Sequence, residues 1–560
     1  MDTLAKLQDW EELDAQLEDI VSAYYRTCHI LERMITDSSS VDAAPLERRM
    51  GDRYTRFIRP LSHSFASIAR SRNNLRTPLH RMPTEILGRI FEFVVDTDTR
   101  YMPMNVAIQT MYLSLHRLMG VCSVWRNVAQ NHFPLWTLIP VVHFNTRSLS
   151  VTETWFSRSL ERSGAISLRL AVSVGSLDIN NLPIKEKLVS QAHRFRSINI
   201  CASSLSTIES ILKPILTAPA PKFLREISLC YEPPQGHSAQ APYYLFSSVT
   251  YPVLSAFEVA LGFVGILRLK SVLPPPYSRC YSNLVELRLQ DIRFGINTCF
   301  EQFLGTLSSA TQLQSLDLIS VLTSITHHHA DDKRIMVRLP LLKHLYLENL
   351  DLNILESVFL TIEPGQYYTS LMMTQRCLLS VSLIGVIQDD LNRFRQVFKS
   401  SKIYTLLLKE HSPVFGPRRL HFILSCMPTV DTLSLDGQTL SHQCLLALTR
   451  PPNSSVPFPK LQTIYISRSI IDAIQDQAAF RNMLSSHPLQ TLYLGGSFNV
   501  ATAANNAEFL TDPGRCRVDI AGPDTWAILT RDWIKANIPN FTVWPHDVYG
   551  QLRSTEWELW

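Results

Sequence analysis

From about residue 165 to residue 494 one hydrophobic pattern returns again and again: apolar-x-x-apolar-x-apolar. Clear copies are LREISL (Leu224–Leu229), LVELRL (Leu284–Leu289), LQSLDL (Leu313–Leu318), LKHLYL (Leu342–Leu347), LQTIYI (Leu461–Ile466) and LQTLYL (Leu489–Leu494). Weaker copies start at Ala165, Phe195, Leu254, Leu378, Ile403 and Val430. Successive starts lie about 29 residues apart on average, a spacing that chance alternation would not hold. Each copy alternates with the period of 2 of a strand: Leu287 and Leu289 point one way, Glu286, Arg288 and Gln290 the other. Between copies the period becomes helical. Phe300, Phe303, Leu304 and Leu307 form one stripe, Leu391, Phe394, Val397 and Phe398 another, and Ile474, Phe480, Met483 and Leu484 lie in a third such segment.

One strand and one helix in every ~29 residues resembles the leucine-rich-repeat superfamily, over about 330 residues of this chain. A unit of that kind cannot bury its apolar face alone, and stacking joins the units into one core. The chain departs from the family in one respect. The Asn or Cys three residues after the last Leu of the strand is mostly absent, because Ile292, Val321 and Leu350 stand there after Leu289, Leu318 and Leu347. The expectation is irregular curvature and varied loops. A flat parallel sheet in an α/β domain is the competing architecture.

Ahead of the repeats, LHRMPTEILGRIFEFV at 79–94 puts a Pro at the first helical turn and Ile86, Leu87, Ile90, Phe91 and Val94 at helical spacing. A second helix is expected at 112–131, where Leu115, Leu118, Cys122, Trp125 and Ala129 recur at 3 and 4. MPTEILGRIF, followed by VCSVWRNVAQNHFPLW, resembles the F-box-like domains of many fungal proteins, across roughly 79–137. Met82 stands where Leu is usual, and the connection at 96–111 is longer than the family minimum. The resemblance implies docking onto the Skp adaptor, and through it a cullin, in an SCF (Skp–cullin–F-box) ubiquitin ligase. Carried over by position, the docking residues would be Met82, Pro83, Ile86, Leu87, Ile90, Val121, Cys122 and Trp125. Further upstream, Trp10, Leu13, Leu17, Val21, Tyr24, Cys28, Leu31 and Ile35 step by 3 and 4 up to the Ser38–Ser40 polar run. This is an amphipathic helix that either dimerises or, the favoured reading, packs within the chain.

The expected fold is α/β: a leucine-rich-repeat-like solenoid of about 12 strand–helix repeats, preceded by a small all-α F-box-like bundle. The expected segments are 1–75 (an amphipathic helical region), 76–140 (F-box-like), 141–500 (solenoid) and 501–560 (a Trp-rich cap). Five of the nine tryptophans, Trp526, Trp533, Trp544, Trp557 and Trp560, fall in that last segment, where large aromatics around a helix at about 524–538 would cover the exposed end of the array.

Composition narrows the function. With 46% apolar and 18% charged residues and a formal net charge of +4, the chain carries no basic stripe for nucleic acid or an anionic membrane. The acidic start, MDTLAKLQDWEELD, is unlike a secretory or transit signal, and the apolar run near Val259–Leu267 is far short of the roughly 18 residues of a membrane span. Ten scattered cysteines with no C-x-x-C pair fit a reducing compartment, so an intracellular protein, cytoplasmic or nuclear, is expected. No nucleotide-binding, hydrolase, metalloprotease or kinase motif occurs, so neither an enzyme nor a cofactor is expected. His327, His328 and His329 with Asp331 and Asp332 read as a solvated loop rather than a metal site.

Binding remains. Outward strand positions include Arg288, Asp317, His344, Tyr346, Glu348, Asp436, Tyr465 and Tyr493. Arg288, Tyr346, Tyr465 and Tyr493 are the expected contacts for a protein client, because Tyr and Arg dominate binding hot spots. Insertions at 231–252 and 323–338 are further candidates. The expected function is a substrate-recognition adaptor of an SCF-type ligase. A scaffold without ligase function is the alternative.

Overall fold

The computed structural model describes residues 2–37, 43–76, 82–97, 102–142, 149–174, 184–217, 224–233, 242–246, 251–274, 281–324, 336–381, 387–399, 401–409, 416–452, 457–472, 477–501, 515–519, 525–544 and 557–559. The chain divides into two compact units, Met1–Leu87 and Gly88–Trp560. The boundary falls inside a helix, within the stretch expected to be a separate bundle at 76–140.

The first unit is helical. Helix α1 spans Asp2–Asp37 and α2 spans Ala43–Arg76. The seam of α1 is exposed: Trp10, Leu13, Leu17, Val21, Tyr24 and Ile35 all stand in solvent. The sequence placed 43–75 within a helical region but gave it no stripe of its own, since its apolar positions are sparse and Pro60 interrupts them. Helix α3, Thr84–Thr97, begins immediately after Pro83, as the Pro predicts.

In the second unit, α4 (Met104–Val121) and α5 (Ser123–Asn131) replace the single helix expected at 112–131. The break has a local cause. Cys122 adopts an extended backbone (φ −160°, ψ 171°) and its Sγ accepts the Trp125 N–H at 3.4 Å, acting as the N-cap of α5. Arg126 Nε donates to the Met119 carbonyl at 3.0 Å, satisfying one of the carbonyls that the end of α4 leaves open. Much of the supposed 96–111 connection is the first two turns of α4.

The rest of this unit is α/β. Among the described residues sixteen strands form one sheet, and fourteen of them follow one another in chain order. The order opens with β1 (Leu138–Val142), β2 (Leu168–Val174), β3 (Phe195–Ala202), β4 (Glu226–Tyr231), β5 (Ile266–Lys270) and β6 (Glu286–Gln290), all parallel. It continues in parallel through Ser315–Ile319, His344–Glu348, Tyr368–Met373, Thr405–Lys409, Thr432–Asp436, Thr463–Asp472 and Thr491–Ala501. Only Arg515–Asp519, at the far edge, runs antiparallel. One ladder of register partners runs from Val172 through Leu229, Leu289, Leu318 and Leu371 to Leu492, each 1% exposed or less. This ladder and the helix stripes form one apolar core. Parallel neighbours with helical crossovers need that face apolar at every strand.

Two expected copies are not sheet strands. Leu254 lies in a helix, Tyr251–Leu261, and the strand is β5. Leu378 ends a short 3₁₀ turn ahead of a small hairpin, and the sheet strand there is Tyr368–Met373. The register partners Ser228, Arg268 and Arg288 are therefore 40 and then 20 residues apart, and Tyr346, Ser370 and Thr405 are 24 and then 35 apart. The deviations compensate, which is why the mean spacing survived both displacements.

The turns are more uniform than the missing Asn/Cys positions implied. Ser271, Asp291, Ser320 and Asn349, each immediately after a strand, have left-handed backbones with φ between 48° and 56°. Their N–H groups reach across to the end of the next strand, to its last carbonyl at Gln290, Ile319 and Glu348 and to the one before the last at Met372. A main-chain device thus satisfies a carbonyl at the end of each of these strands. Ile292, Val321 and Leu350 are freed to be buried, at 1%, 0% and 0% exposure.

Candidate functional site

Two candidate patches carry the sequence-derived docking residues, one on α3 and one at the α4–α5 junction. Along α3 the apolar residues divide by face. Leu87 and Phe91 are buried, whereas Met82, Pro83 and Ile86 are exposed and Ile90 is half-buried. At the junction Val121 is 60% exposed, and Cys122 and Trp125 are half-buried. The Trp125 ring lies 5.1 Å from that of Phe91, so it supports the bundle as well as reaching its surface. Leu87, one of the eight sequence-derived docking residues, belongs to the core, since its helical phase turns it away from Ile86.

The remaining signature residues are structural. Trp136 is buried, donates its indole N–H to the Ala129 carbonyl at 2.7 Å, and carries the Arg162 guanidinium over its ring at 4.4 Å. His132 Nε2 and Glu92 Oε1 are 2.6 Å apart, and the His132 ring lies against Gly88, where an added Cβ would meet it at 2.5 Å. The short Gly side in α3 lets the imidazole close over the helix.

The other candidate surface is the sheet face turned away from the core. It is less exposed than its polar sequence suggests: Asp317 and Asp436 are 0% exposed, Glu348 4% and Asn199 1%. Strands close together shield one another's side chains, so an outward strand position is not automatically a wet one. Tyr346, an expected client contact, is buried in a small cluster with Ile319, Met372 and Leu407 and donates its hydroxyl to Glu348 at 2.8 Å. Burial pushes the Tyr346 phenol well above its ordinary range and raises the Glu348 carboxyl. It is not an open contact.

Arg288 is half-buried, with an Nη2–Gln290 hydrogen bond of 2.9 Å, and its register neighbours are Arg268 and Asp317. Arg268 is gripped by Glu226 at 2.5 Å and Glu286 at 2.7 Å. Tyr465 and Tyr493 are brought together, their rings stacked 4.7 Å apart at 8°, and the Trp544 ring lies 4.9 Å from Tyr493 and 5.8 Å from Tyr465. All three are at the far end of the sheet, where half-buried aromatic faces form a platform.

Sequence reasoning missed the residues that most shape this face. Asn199 on β3 binds the C-terminal segment Trp557–Leu559, which was expected to cap the far end of the array. At the far end Trp533, Ile534 and Ile538, around the helix Thr525–Asn537 where the sequence placed one at about 524–538, pack into the core. The concentration of tryptophan at the C-terminus was the available signal, but not its destination.

Among the described residues one set of potential metal ligands converges. Cys201 and Cys230, in register on β3 and β4, and Glu232 have ligand atoms within 4.8 Å of one another. The hydrogen bond from Cys201, then burial, holds the Cys230 thiol well above its usual range. The His327–Asp332 cluster and most of the insertions lie outside the described residues. No helix among the described residues is long and apolar enough to cross a membrane. No family model matches the chain, and no curated protein matches it.

Proposed function

We propose that the chain is a substrate-recognition adaptor of an SCF-type ubiquitin ligase, built as an F-box-like helical module followed by a leucine-rich-repeat-like solenoid. Docking of the Skp adaptor falls to the exposed apolar residues of α3, Met82, Pro83 and Ile86, with Ile90, and to Val121, Cys122 and Trp125 at the α4–α5 junction. One observation carries the reading: Met82, Ile86 and Val121, at signature positions, are 38%, 52% and 60% exposed while Leu87 and Phe91 beside them are buried. Apolar side chains in excess of what a small bundle can cover point to a partner. The left-handed turns and the chain-ordered parallel sheet support the repeat reading.

In this reading the chain performs no chemistry. A conjugating enzyme held through the adaptor and its cullin supplies the reactive thioester, and this protein contributes proximity by holding a client protein on the sheet face. Tyr465, Tyr493 and Arg288 remain the expected client contacts. Tyr346 contributes as a buried support. Such a complex works inside the cell, in cytoplasm or nucleus.

The test is co-purification of the full chain with a Skp adaptor, wild type against Ile86→Asp. Ile86 is the better probe because Trp125 also braces Phe91. The substitution should cut adaptor retention about 30-fold, the scale of a 2 kcal/mol hot spot, without moving the unfolding midpoint. A folded wild-type chain that retains no adaptor would overturn the reading.

A further inference from the structure

The C-terminal segment sits on the sheet face through a side chain that reads peptide. The Asn199 carboxamide is 1% exposed. Its Nδ2 donates to the Glu558 carbonyl at 3.1 Å and also to that of Leu559, and its Oδ1 accepts the Trp557 indole N–H at 2.7 Å. Trp557 and Leu559 are each 7% exposed, and Glu558 lies between them as a half-exposed residue. The Trp557 carbonyl accepts the N–H of Met104 at 2.9 Å, one of the open donors at the start of α4, whose Pro103 N-cap offers no side-chain bond. Glu558 forms an antiparallel bridge with Pro103.

Two neighbouring groups extend this arrangement. Ser228, the register partner of Asn199, is 1% exposed and its Oγ has no hydrogen-bond partner among the described residues. Arg288, in the register row that runs from Asn199 through Ser228 and Arg268, feels the charge of Glu558. A buried two-sided carboxamide, a spare hydroxyl and a cation make a place for an extended segment with an indole donor, then an acid, then an apolar side chain. Among the described residues, Trp557, Glu558 and Leu559 make this contact.

We propose that Asn199, Ser228 and Arg288 form a binding site for an extended Trp–acidic–Leu segment of a partner protein, and that Trp557–Leu559 is its built-in occupant, which the partner displaces. The inference rests on the reading that clients are held on the sheet face. It gives that face a chemical preference and an autoinhibitory contact.

The probe is a fluorescein-labelled peptide with the sequence of residues 554–560, followed by fluorescence polarisation against the full chain. Wild type should bind it poorly, because a tethered competitor acts at an effective concentration of roughly millimolar. Trp557→Ala, which vacates the site, should bind at least tenfold more tightly, and adding Asn199→Ala should remove that gain. A peptide with Ala in place of its first Trp should not bind. Glu558→Arg, which keeps the indole and sets a cation against Arg288, should raise peptide affinity severalfold. Folded Trp557→Ala protein that takes up no peptide overturns the proposal, as does binding indifferent to Asn199. If Trp557→Ala unfolds the chain and Glu558→Arg gains no affinity, the tail is a fixed structural strap and the proposal fails. Adaptor retention, measured on the same preparations, separates the two readings. Peptide exchange without adaptor binding sinks the ligase assignment alone, and adaptor binding without exchange sinks this one alone.

Discussion

The two units of this chain invert the usual relation between polarity and burial. In Met1–Leu87 a row of large apolar side chains, Trp10, Leu13, Leu17, Val21 and Tyr24, stands in solvent. In Gly88–Trp560 the sheet face turned from the core buries Asn199, Asp317, Glu348 and Asp436. The difference is one of closure. The buried carboxylates Asp317, Glu348 and Asp436 have hydrogen-bond partners on their own or the adjacent strand, whereas the apolar row of α1 has no neighbouring rung over it. Breaking the sheet's closure should therefore cost far more than editing the helix.

The largest effect is expected at Asp436. Its carboxylate is 0% exposed, accepts the Ser467 hydroxyl at 2.7 Å and is held by both Nε and Nη2 of Arg468, the Nε bond being 2.9 Å. Asp436→Ala strands the guanidinium and should destabilise the second unit by about 3–5 kcal/mol in urea denaturation. Replacing both partners, Asp436→Leu with Arg468→Met, should recover most of that loss, since the cost lies in the orphaned charge. Equal damage from single and double variants would refute the closure argument. Leu371→Ala, in the continuous apolar ladder, should cost about 3 kcal/mol through the cavity it leaves.

These two sites also mark what the sequence made legible. Leu371 and its ladder partners announce themselves through alternation, because every strand must offer the same apolar face to the crossover helices. The strand Tyr368–Met373 itself was hidden, since Thr369 and Ser370 break the apolar pattern. Leu254 misled for the opposite reason: with Phe257 and Leu261 it satisfies helical spacing as well as the strand template, and the helix prevailed. The left-handed turns were invisible, because Ser, Asp and Asn there carry no mark of φ. The docking signature was readable residue by residue, but the split between exposed Ile86 and buried Leu87 follows from helical phase, which a motif does not state. Asn199 and Trp557, some 360 residues apart, could be joined only by the fold.

A smaller effect, with a defined sign, is expected at His487. Burial pushes its imidazole below the ordinary value of 6.5; its Nε2 lies 2.9 Å from the Leu448 carbonyl, and Nδ1 is buried without a hydrogen-bond partner among the described residues. Because the folded state resists the proton, stability is fully present above pH 6.5 and falls as the pH drops below it towards the lower folded value. The loss is limited to about 1.4 kcal/mol per pH unit across that window. His487→Gln, which keeps a donor for Leu448, should show a smaller drop between pH 7.5 and 5.5 than wild type. Parallel stability curves would remove His487 from the account.

The smallest effect is expected where the apolar side chains are most conspicuous. Leu13, 63% exposed on α1, has little burial to lose, so Leu13→Ala should move the unfolding midpoint of the chain by less than about 0.5 kcal/mol. Helix propensity changes the other way, since Ala is the better helix former, and far-ultraviolet circular dichroism should hold or gain helical signal. The measurement is informative because a covered seam behaves otherwise. If α1 pairs with another helix in solution, Leu13 becomes a packed knob, and the same substitution costs about 2–5 kcal/mol with a dependence on protein concentration. A large, concentration-dependent loss would mean that the contrast between the two units describes the single chain alone, and that the helical unit, like the sheet, is closed once its partner is present.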